Sequence, residues 1–349
     1  MENKIQTLLH EAVPNATEGI QLQYIYKGSS SKIVNAGKTY LYYDWASLTK
    51  VVFTVTCLMK LYEEKAFAFE DKVSSFIPDY PWDIQLYQLL THSSGLPGWL
   101  PIYKQLGSGK QFDENWKNLR DIIFSISPEN KETSEYSDIG FLLLGFFIET
   151  ITGKPLIEHW KIIAKSLGMN KTFFHENNIP FFPKDQYAPT EDCPLRKKII
   201  QGEINDENCW YLGGVASHAG LFGPIEDLER WAKGFRDTFF GKKNDWIVST
   251  ETVKTFAQRA IPSKTGDWTY GFMMPTKGKA SCGSFFSPVS LGHLGFTGCS
   301  FWFDPKVDLV VLIVTNRTFP SRENKEFIKY RPKIHDLIYK LLTSKNKNI

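Results

Sequence analysis

The chain has 349 residues, of which 42% are hydrophobic and 15% aromatic, enough to build one large domain or two smaller ones around a full core. Its 41 Lys and Arg residues and 38 Asp and Glu residues leave a net charge of only +3, too balanced to predict binding to nucleic acid or to an anionic membrane. The five cysteines are scattered, odd in number and form no Cys-x-x-Cys pair, so a disulfide framework is not expected.

The first 22 residues contain no uninterrupted apolar signal-peptide core and no small-residue cleavage site. No segment approaches the run of about 18 apolar residues that a transmembrane helix needs. We therefore expect a soluble, cytoplasmic protein with no membrane span, or a periplasmic one if a signal peptide has been removed.

The N-terminal part of the chain predicts a short helix and two extended segments. Residues 2–12 are amphipathic, residues 20–26 alternate between apolar and polar, and residues 33–43 are extended and rich in aromatics. The second extended segment runs directly into an apolar stripe with helical spacing, which indicates one buried helix. The stripe consists of Leu48, Val51, Val52, Val55, Leu58, Met59 and Tyr62.

Ser47 and Lys50 stand at the start of this helix, three residues apart, and so share one helix face. A serine needs a base to become a nucleophile, and burial together with a helix N-terminus can lower a lysine pKa far enough to supply one. Ser-x-x-Lys also occurs at Ser29 and Ser344, but neither opens an apolar helix. The alternative is that Ser47 is an ordinary first-turn or N-cap serine.

The middle of the chain predicts helices, and strands return after about residue 265. The predicted helices are 84–90, 115–126, 139–151, 156–167 and 225–240; the predicted strands are 268–273, 283–286, 291–296, 299–303 and 307–315; a helix over 325–342, kinked or divided by Pro332, precedes a frayed tail at 344–349. This order predicts an α+β fold, with an antiparallel sheet built from both chain ends and flanked by terminal helices. We assign residues 1–65 and 241–349 to this α/β sandwich domain and residues 66–240 to an inserted, mainly helical domain.

Two further motifs could complete a site. Tyr136, just before the helix at 139, could shuttle a proton beside a lysine, and Asp138 could bond that lysine or a substrate amide, although it could equally cap the helix. In the C-terminal strands, Gly295 and Gly298 allow close backbone approach to a ligand, and an N–H there could pair with that of Ser47 as an oxyanion hole. His293 adds polarity, or is a structural histidine.

A literal Lys264-Thr265-Gly266 is a rival third motif, in what is predicted to be a polar loop. No His-x-His or His-x-x-x-His occurs, so neither a metal site nor a cofactor is expected.

The order Ser-x-x-Lys, Tyr-x-Asp, His-x-Gly resembles the serine β-lactamase and penicillin-binding protein superfamily, most closely its class C-like branch of β-lactamases, D-alanyl-D-alanine carboxypeptidases and esterases. The resemblance covers about residues 20–340. Its main stretches are 45–51, 89–97, 136–140, 206–208, 212–222 and 292–298. It implies acylation of Ser47, proton transfer by Lys50 and Tyr136, and oxyanion donors at the backbone N–H groups of Ser47 and Phe296. Asp138, His293, Gly295 and Thr297 would then bind the substrate, with His293 replacing the family's usual lysine.

Two departures bear on specificity. Asp138 stands where classical members have Asn, so an acceptor replaces an amide donor, and Leu294 stands where a hydroxyl residue commonly holds the substrate carboxylate. The resemblance therefore implies a serine hydrolase for a small ester, amide or D-amino-acid peptide, and a weak β-lactamase at most. The alternative is a non-catalytic binder of penicillin or peptidoglycan fragments that keeps the fold. The stretch Asp206-Glu207-Asn208 and His218 could bind substrate or brace loops.

Overall fold

The computed structural model describes residues 2–107, 112–244 and 246–344. The frayed tail predicted for residues 344–349 lies, apart from Ser344, outside these described residues. The helices in chain order are α1 (Glu2–Ala12), a π-helical turn (Lys50–Val55) continued by α2 (Thr56–Glu63), α3 (Leu86–Leu90), α4 (Phe112–Ser125), α5 (Asp138–Thr152), α6 (Leu156–Leu167), α7 (Glu207–Tyr211), α8 (Ile225–Phe239), α9 (Thr250–Ala257) and α10 (Glu326–Thr343). The strands are β1 (Gly19–Tyr26), β2 (Ser29–Ser30), β3 (Val34–Gly37), β4 (Tyr43–Asp44), β5 (Phe173–Phe174), β6 (Pro189–Cys193), β7 (Lys198–Gln201), β8 (Leu221–Gly223), β9 (Leu291–Leu294), β10 (Ser300–Asp304) and β11 (Leu309–Thr315).

The main sheet joins the two ends of the chain, which confirms the predicted α+β class. Its strand order is β2-β1-β11-β10-β9, with β3 also paired to β1, and its pairs are antiparallel. Every residue of β11 is buried, as expected for a central strand covered on both faces. Strand β9 ends this order, and its end leads into the turn that carries Phe296.

The two faces of the sheet bury different sets of side chains, because successive residues of a strand point to opposite faces. Trp302 of β10 packs in a cluster with residues of α1 and α10, such as Leu9 and Phe327. Its neighbour Phe301 points the other way and meets Trp231 of α8, with ring centroids 4.9 Å apart. The terminal helices and α8 therefore cover opposite faces of the sheet.

Helices α3 to α6 form the middle of the chain, and α5 is buried along ten consecutive residues, 139–148. Among the described residues no single helix is long and apolar enough to cross a bilayer; α5 and α6 reach that length only as a pair bent by 86°. Helix α8 lies within the range assigned to the inserted domain but packs on the sheet through Trp231. The boundaries at residues 65 and 240 stay a prediction.

Several predicted elements were wrong in detail. Residues 268–273 are not a strand but a turn closed by a bridge between Trp268 and Met273, with Gly271 at φ +101°. Residues 283–286 are likewise not a strand, and Pro332 does not divide α10, which runs unbroken. Helix α9 and the hairpin β6–β7 were not predicted.

Candidate active site

Ser47 lies in a tight turn between β4 and the π-helical turn. The residue before it, Ala46, has a left-handed φ of 46°, a strained conformation for alanine that the surroundings must hold in place. Asp44 supplies this support, since one of its carboxylate oxygens accepts the Ala46 N–H at 2.8 Å and the other accepts the Asn205 N–H at 2.8 Å. The Ser47 side chain remains partly exposed and lines a cavity.

Lys50 is completely buried and contacts three groups at once. Its ammonium donates to Ser47 Oγ at 3.0 Å and to the His218 carbonyl at 3.0 Å, and it lies 2.6 Å from Asp138 Oδ1. Burial alone would lower the Lys50 pKa, but Asp138 and Tyr136 outweigh it and leave that pKa above its ordinary value. The resting lysine is therefore protonated, contrary to a simple lysine-base mechanism.

Tyr136 lines the same cavity as Ser47, and its ring centroid lies 5.0 Å from the Lys50 ammonium. Burial raises the Tyr136 pKa, and Asp138 adds to this, while Lys50 and Ser47 act in the opposite direction. The phenol is neutral at rest. Because the Lys50 ammonium favours the phenolate, Tyr136 can take the Ser47 proton once it has lost its own, while Lys50 stays charged.

The segment before α5 is held by His92, which the sequence gave no separate reason to single out. His92 Nδ1 accepts the Ser137 N–H at 2.9 Å, the His92 carbonyl accepts the Glu135 N–H at 2.9 Å, and its ring lies 4.7 Å from that of Tyr136. Burial, with Lys50 and His293 nearby, holds the His92 pKa well below its usual range, so the ring is neutral and can accept at Nδ1. The N-cap of α5 is Ser137, which accepts the Gly140 N–H, and not Asp138.

Two backbone N–H groups at the cavity are free to receive a ligand. Within the described residues, neither the Ser47 N–H nor the Phe296 N–H donates a hydrogen bond. The turn after β9 passes very close to the Ser47 turn, because a Cβ on Gly295 would lie 2.4 Å from the Trp45 carbonyl oxygen. Glycine at position 295 is thus required for this approach, and the two donors proposed as an oxyanion hole face one cavity.

The remaining residues predicted for the third motif occupy different places. His293 lines the cavity; its Nδ1 donates to the Leu294 carbonyl at 2.9 Å, which leaves Nε2 as a buried acceptor with no partner among the described residues. Burial and Lys50 lower its pKa to about 3, so it presents a neutral acceptor and not a cation. Thr297 lies outside the cavity lining, because its buried hydroxyl donates to the Asp44 carbonyl at 2.7 Å. Lys264 is exposed, on a loop that does not line the cavity.

Ester turnover should therefore distinguish the two candidate third motifs. We expect His293→Ala to reduce kcat/KM for a p-nitrophenyl ester by about tenfold or more, because it removes the acceptor at the cavity wall. Lys264→Ala should change it by less than about threefold, since that exposed ammonium lies outside the cavity lining. The opposite ranking would place the third motif at Lys264-Thr265-Gly266.

Asp206 and His218 brace the site from behind Lys50. His218 Nε2 lies 3.0 Å from Asp206 Oδ1, which also accepts the Cys209 N–H and so caps α7. Burial by itself would raise the Asp206 pKa, but these partners hold it at about 2. The ligand atoms of Asp138, Asp206 and His218 all lie within 4.8 Å of one another, and the Lys50 ammonium, bound to Asp138, supplies positive charge to this cluster.

Asp138 should control the pH at which the site becomes active. Its carboxylate raises the pKa of both Lys50 and Tyr136, each of which must lose a proton before it can act as a base. Asp138→Asn removes that charge, so both pKa values fall and the rising limb of the pH profile of kcat/KM should move to lower pH, by about one unit. The exposed Glu129→Gln removes the same charge outside the site and should leave the profile in place; equal shifts in both variants would contradict the role given to Asp138.

The cavity that contains these groups has a volume of about 830 Å³. Ser47, Tyr136, His293 and the exposed Trp99 all line it. This is the size of pocket that holds a small organic molecule, with few polar groups in a largely apolar surface.

Comparison with known proteins is consistent with this geometry. The Beta-lactamase family model matches residues 41–331. A Salmonella agona (strain SL483) protein, provisionally named a D-alanyl-D-alanine carboxypeptidase, is 31% identical over 304 residues, which are 79% of this chain and 69% of that protein. EstCE1, described as a hydrolase with promiscuous acyltransferase activity, superposes with a TM-score of 0.72 at 18% identity, over 97% of this chain and 98% of that one. A class C beta lactamase from Rhodobacter sphaeroides gives 0.70 at 18% identity, over 97% and 100%. These two likenesses show the fold alone.

Proposed function

The chain belongs to the beta-lactamase family, and from that premise we propose that it is a serine hydrolase that forms an acyl-enzyme on Ser47. The observation that carries the proposal is the 3.0 Å hydrogen bond from the buried Lys50 ammonium to Ser47 Oγ, beside Tyr136 and two backbone N–H groups that have no acceptor in the described part of the chain. A nucleophile, a proton acceptor and oxyanion donors thus line one cavity.

In the proposed reaction, Tyr136 first loses its own proton to solvent, and the Lys50 ammonium stabilises the phenolate that remains. Ser47 Oγ then attacks a substrate carbonyl and gives its proton to this phenolate. The carbonyl oxygen becomes an oxyanion held by the N–H groups of Ser47 and Phe296. Tyr136 then returns the proton to the leaving group as its bond to the carbonyl carbon breaks. A water molecule, deprotonated by the same phenolate, attacks the acyl-Ser47 carbonyl, and Tyr136 returns that proton to Ser47 Oγ as the ester bond breaks and the acid is released.

The proposed substrates are small esters, amides or D-amino-acid peptides. The name of the Salmonella relative supports a carboxypeptidase, and the hydrolase EstCE1 shares the fold. Two features of the site argue against efficient β-lactam hydrolysis: Asp138 offers only an acceptor, already engaged with Lys50, and His293 is a neutral acceptor. A cation that could attract the carboxylate of a penicillin is therefore missing at His293.

Intact-mass measurement tests this proposal. The protein is incubated separately with a fluorescent penicillin and with activated p-nitrophenyl esters, and the mass is followed over time. We expect a transient single acyl adduct with esters, accompanied by release of acid, and slow acylation by the penicillin. A stable penicillin adduct with no ester turnover would instead favour a binding protein that keeps the fold. No adduct with either reagent would refute acylation of Ser47.

A further inference from the structure

The cavity is not confined to the catalytic side of β9. In the register of β9 and β10, Trp302 lies opposite Gly292, and these residues share the sheet face that α10 covers, whereas His293 points to the other face. Residues from both faces line the cavity, so it follows the edge of β9 from Ser47 to the side of α10. We call the part on the α10 side the inner chamber; it is lined by Met273, Ser281, Leu294, Trp302, Ile328 and Arg331.

Three hydrogen-bond donors in the inner chamber lack an acceptor. Arg331 Nε, Trp302 Nε1 and Ser281 Oγ are buried and have no hydrogen-bond partner among the described residues. Arg331 and Trp302 are only 4% and 1% exposed, so bulk water does not satisfy these groups. Buried donors normally have partners, because each one left unsatisfied costs free energy. A ligand with acceptor oxygens in this chamber would satisfy all three donors.

The charge of the inner chamber is also uncompensated. Within the described residues, Arg331 forms no ion pair, and the only hydrogen bond of its guanidinium goes from Nη2 to the Gly298 carbonyl at 2.9 Å. A second buried cation, Arg317, lies nearby without a carboxylate; burial first and Arg317 second lower the Arg331 pKa to about 10. Arg322, by contrast, is paired with both Glu191 and Glu207 at 2.6 Å. A buried charge is costly unless an anion faces it.

The walls determine which anion fits. Met273, Leu294 and Ile328 are apolar, and the free donors are one guanidinium N–H, one indole N–H and one hydroxyl. A monoanion on a hydrocarbon chain satisfies both the donors and the walls, whereas a strongly hydrated inorganic phosphate would leave the apolar walls uncovered.

We propose that the inner chamber is a subsite for a carboxylate carried on an apolar chain, with Arg331, Trp302 and Ser281 as its donors. The inference that this carboxylate is the anionic end of the Ser47 substrate rests on the proposed hydrolase function. The inference that the inner chamber binds such an anion does not depend on that function. The preferred ester or amide would then carry a free carboxylate several carbon atoms away from the scissile carbonyl.

Calorimetric titration of the full-length Ser47→Ala protein tests the subsite without turnover. The ligands are sodium heptanoate, heptan-1-ol and inorganic phosphate. We expect heptanoate to bind at least about tenfold more tightly than heptan-1-ol, and more tightly than phosphate. Equal affinity for acid and alcohol, or tighter binding of phosphate, would overturn the proposal.

Variants in the same background assign the donors. Arg331→Gln should weaken heptanoate binding about tenfold or more while heptan-1-ol changes less than about twofold. Lys264→Gln removes the same charge from an exposed position outside the cavity and should leave heptanoate binding unchanged. If Arg331→Gln fails to fold, Trp302→Phe and Ser281→Ala test the assignment instead. Each should weaken the binding of heptanoate by about threefold or more and leave the binding of heptan-1-ol unchanged. Effects no larger than that of Lys264→Gln would overturn the assignment.

The two proposals fail separately. If wild-type protein turns over esters but the Ser47→Ala protein shows no preference for heptanoate, the subsite is refuted and the hydrolase function stands. If heptanoate binds as expected but no ester is hydrolysed and no adduct forms, the hydrolase function is refuted and the anion subsite stands.

Discussion

Ser47→Ala should abolish turnover of p-nitrophenyl esters, with a loss of about a thousandfold or more in kcat/KM, and should eliminate any penicillin adduct. The reason is that the hydroxyl forms the covalent bond, and within the described residues Ser47 is the hydroxyl side chain to which Lys50 donates a hydrogen bond. The fold should survive, because Lys50 keeps its contacts with Asp138 and the His218 carbonyl. Initial rates, intact mass and thermal melting of the two proteins measure these outcomes.

The matched control is Ser29→Ala. Ser29 also begins a Ser-x-x-Lys sequence, but it is exposed on β2. Its replacement should leave turnover within about twofold of the wild type. An adduct that persists in Ser47→Ala, or one that maps to Ser29, would show that the nucleophile has been misassigned.

The sequence could predict that Lys50 lies beside Ser47 because their relation is local. A separation of three positions on one helix face brings the ammonium to the hydroxyl whatever the rest of the chain does, and the apolar stripe after them indicates burial. The sheet could be predicted for a similar reason, since the uninterrupted apolar run in β11 requires cover on both faces. Local spacing and local composition were sufficient in both cases.

The partners that determine the chemistry are distant in sequence and could not be predicted in the same way. The protonation state of Lys50 depends on Asp138, 88 positions later, and the position of Tyr136 depends on His92, 44 positions earlier. The donors of the inner chamber come from three separate segments that carry no common motif. Thr297 shows the converse: it belongs to a motif at the site, yet its hydroxyl is used to hold the Asp44 carbonyl.

Tyr136→Phe should reduce kcat for ester hydrolysis by about a hundredfold or more, with KM changing by less than about threefold. Removing only the hydroxyl keeps the ring contacts with His92 at 4.7 Å and with His293 at 5.8 Å, so the cavity wall is preserved. The proton acceptor for Ser47 is lost, and Asp138 still acts to raise the pKa of Lys50, which opposes its use as a replacement base. The loss should therefore fall on the chemical steps and not on binding.

Tyr80→Phe is the matched control, since the Tyr80 hydroxyl is buried with no hydrogen-bond partner among the described residues and lies outside the cavity lining. It should leave kcat unchanged within about twofold. The pH profile adds a second test: if Tyr136 is the base, the residual activity of Tyr136→Phe should lose the rising alkaline limb of the wild type. If kcat instead falls less than about threefold and the limb remains, the proton of Ser47 passes to Lys50, and the Lys50–Asp138 pair must open during acylation.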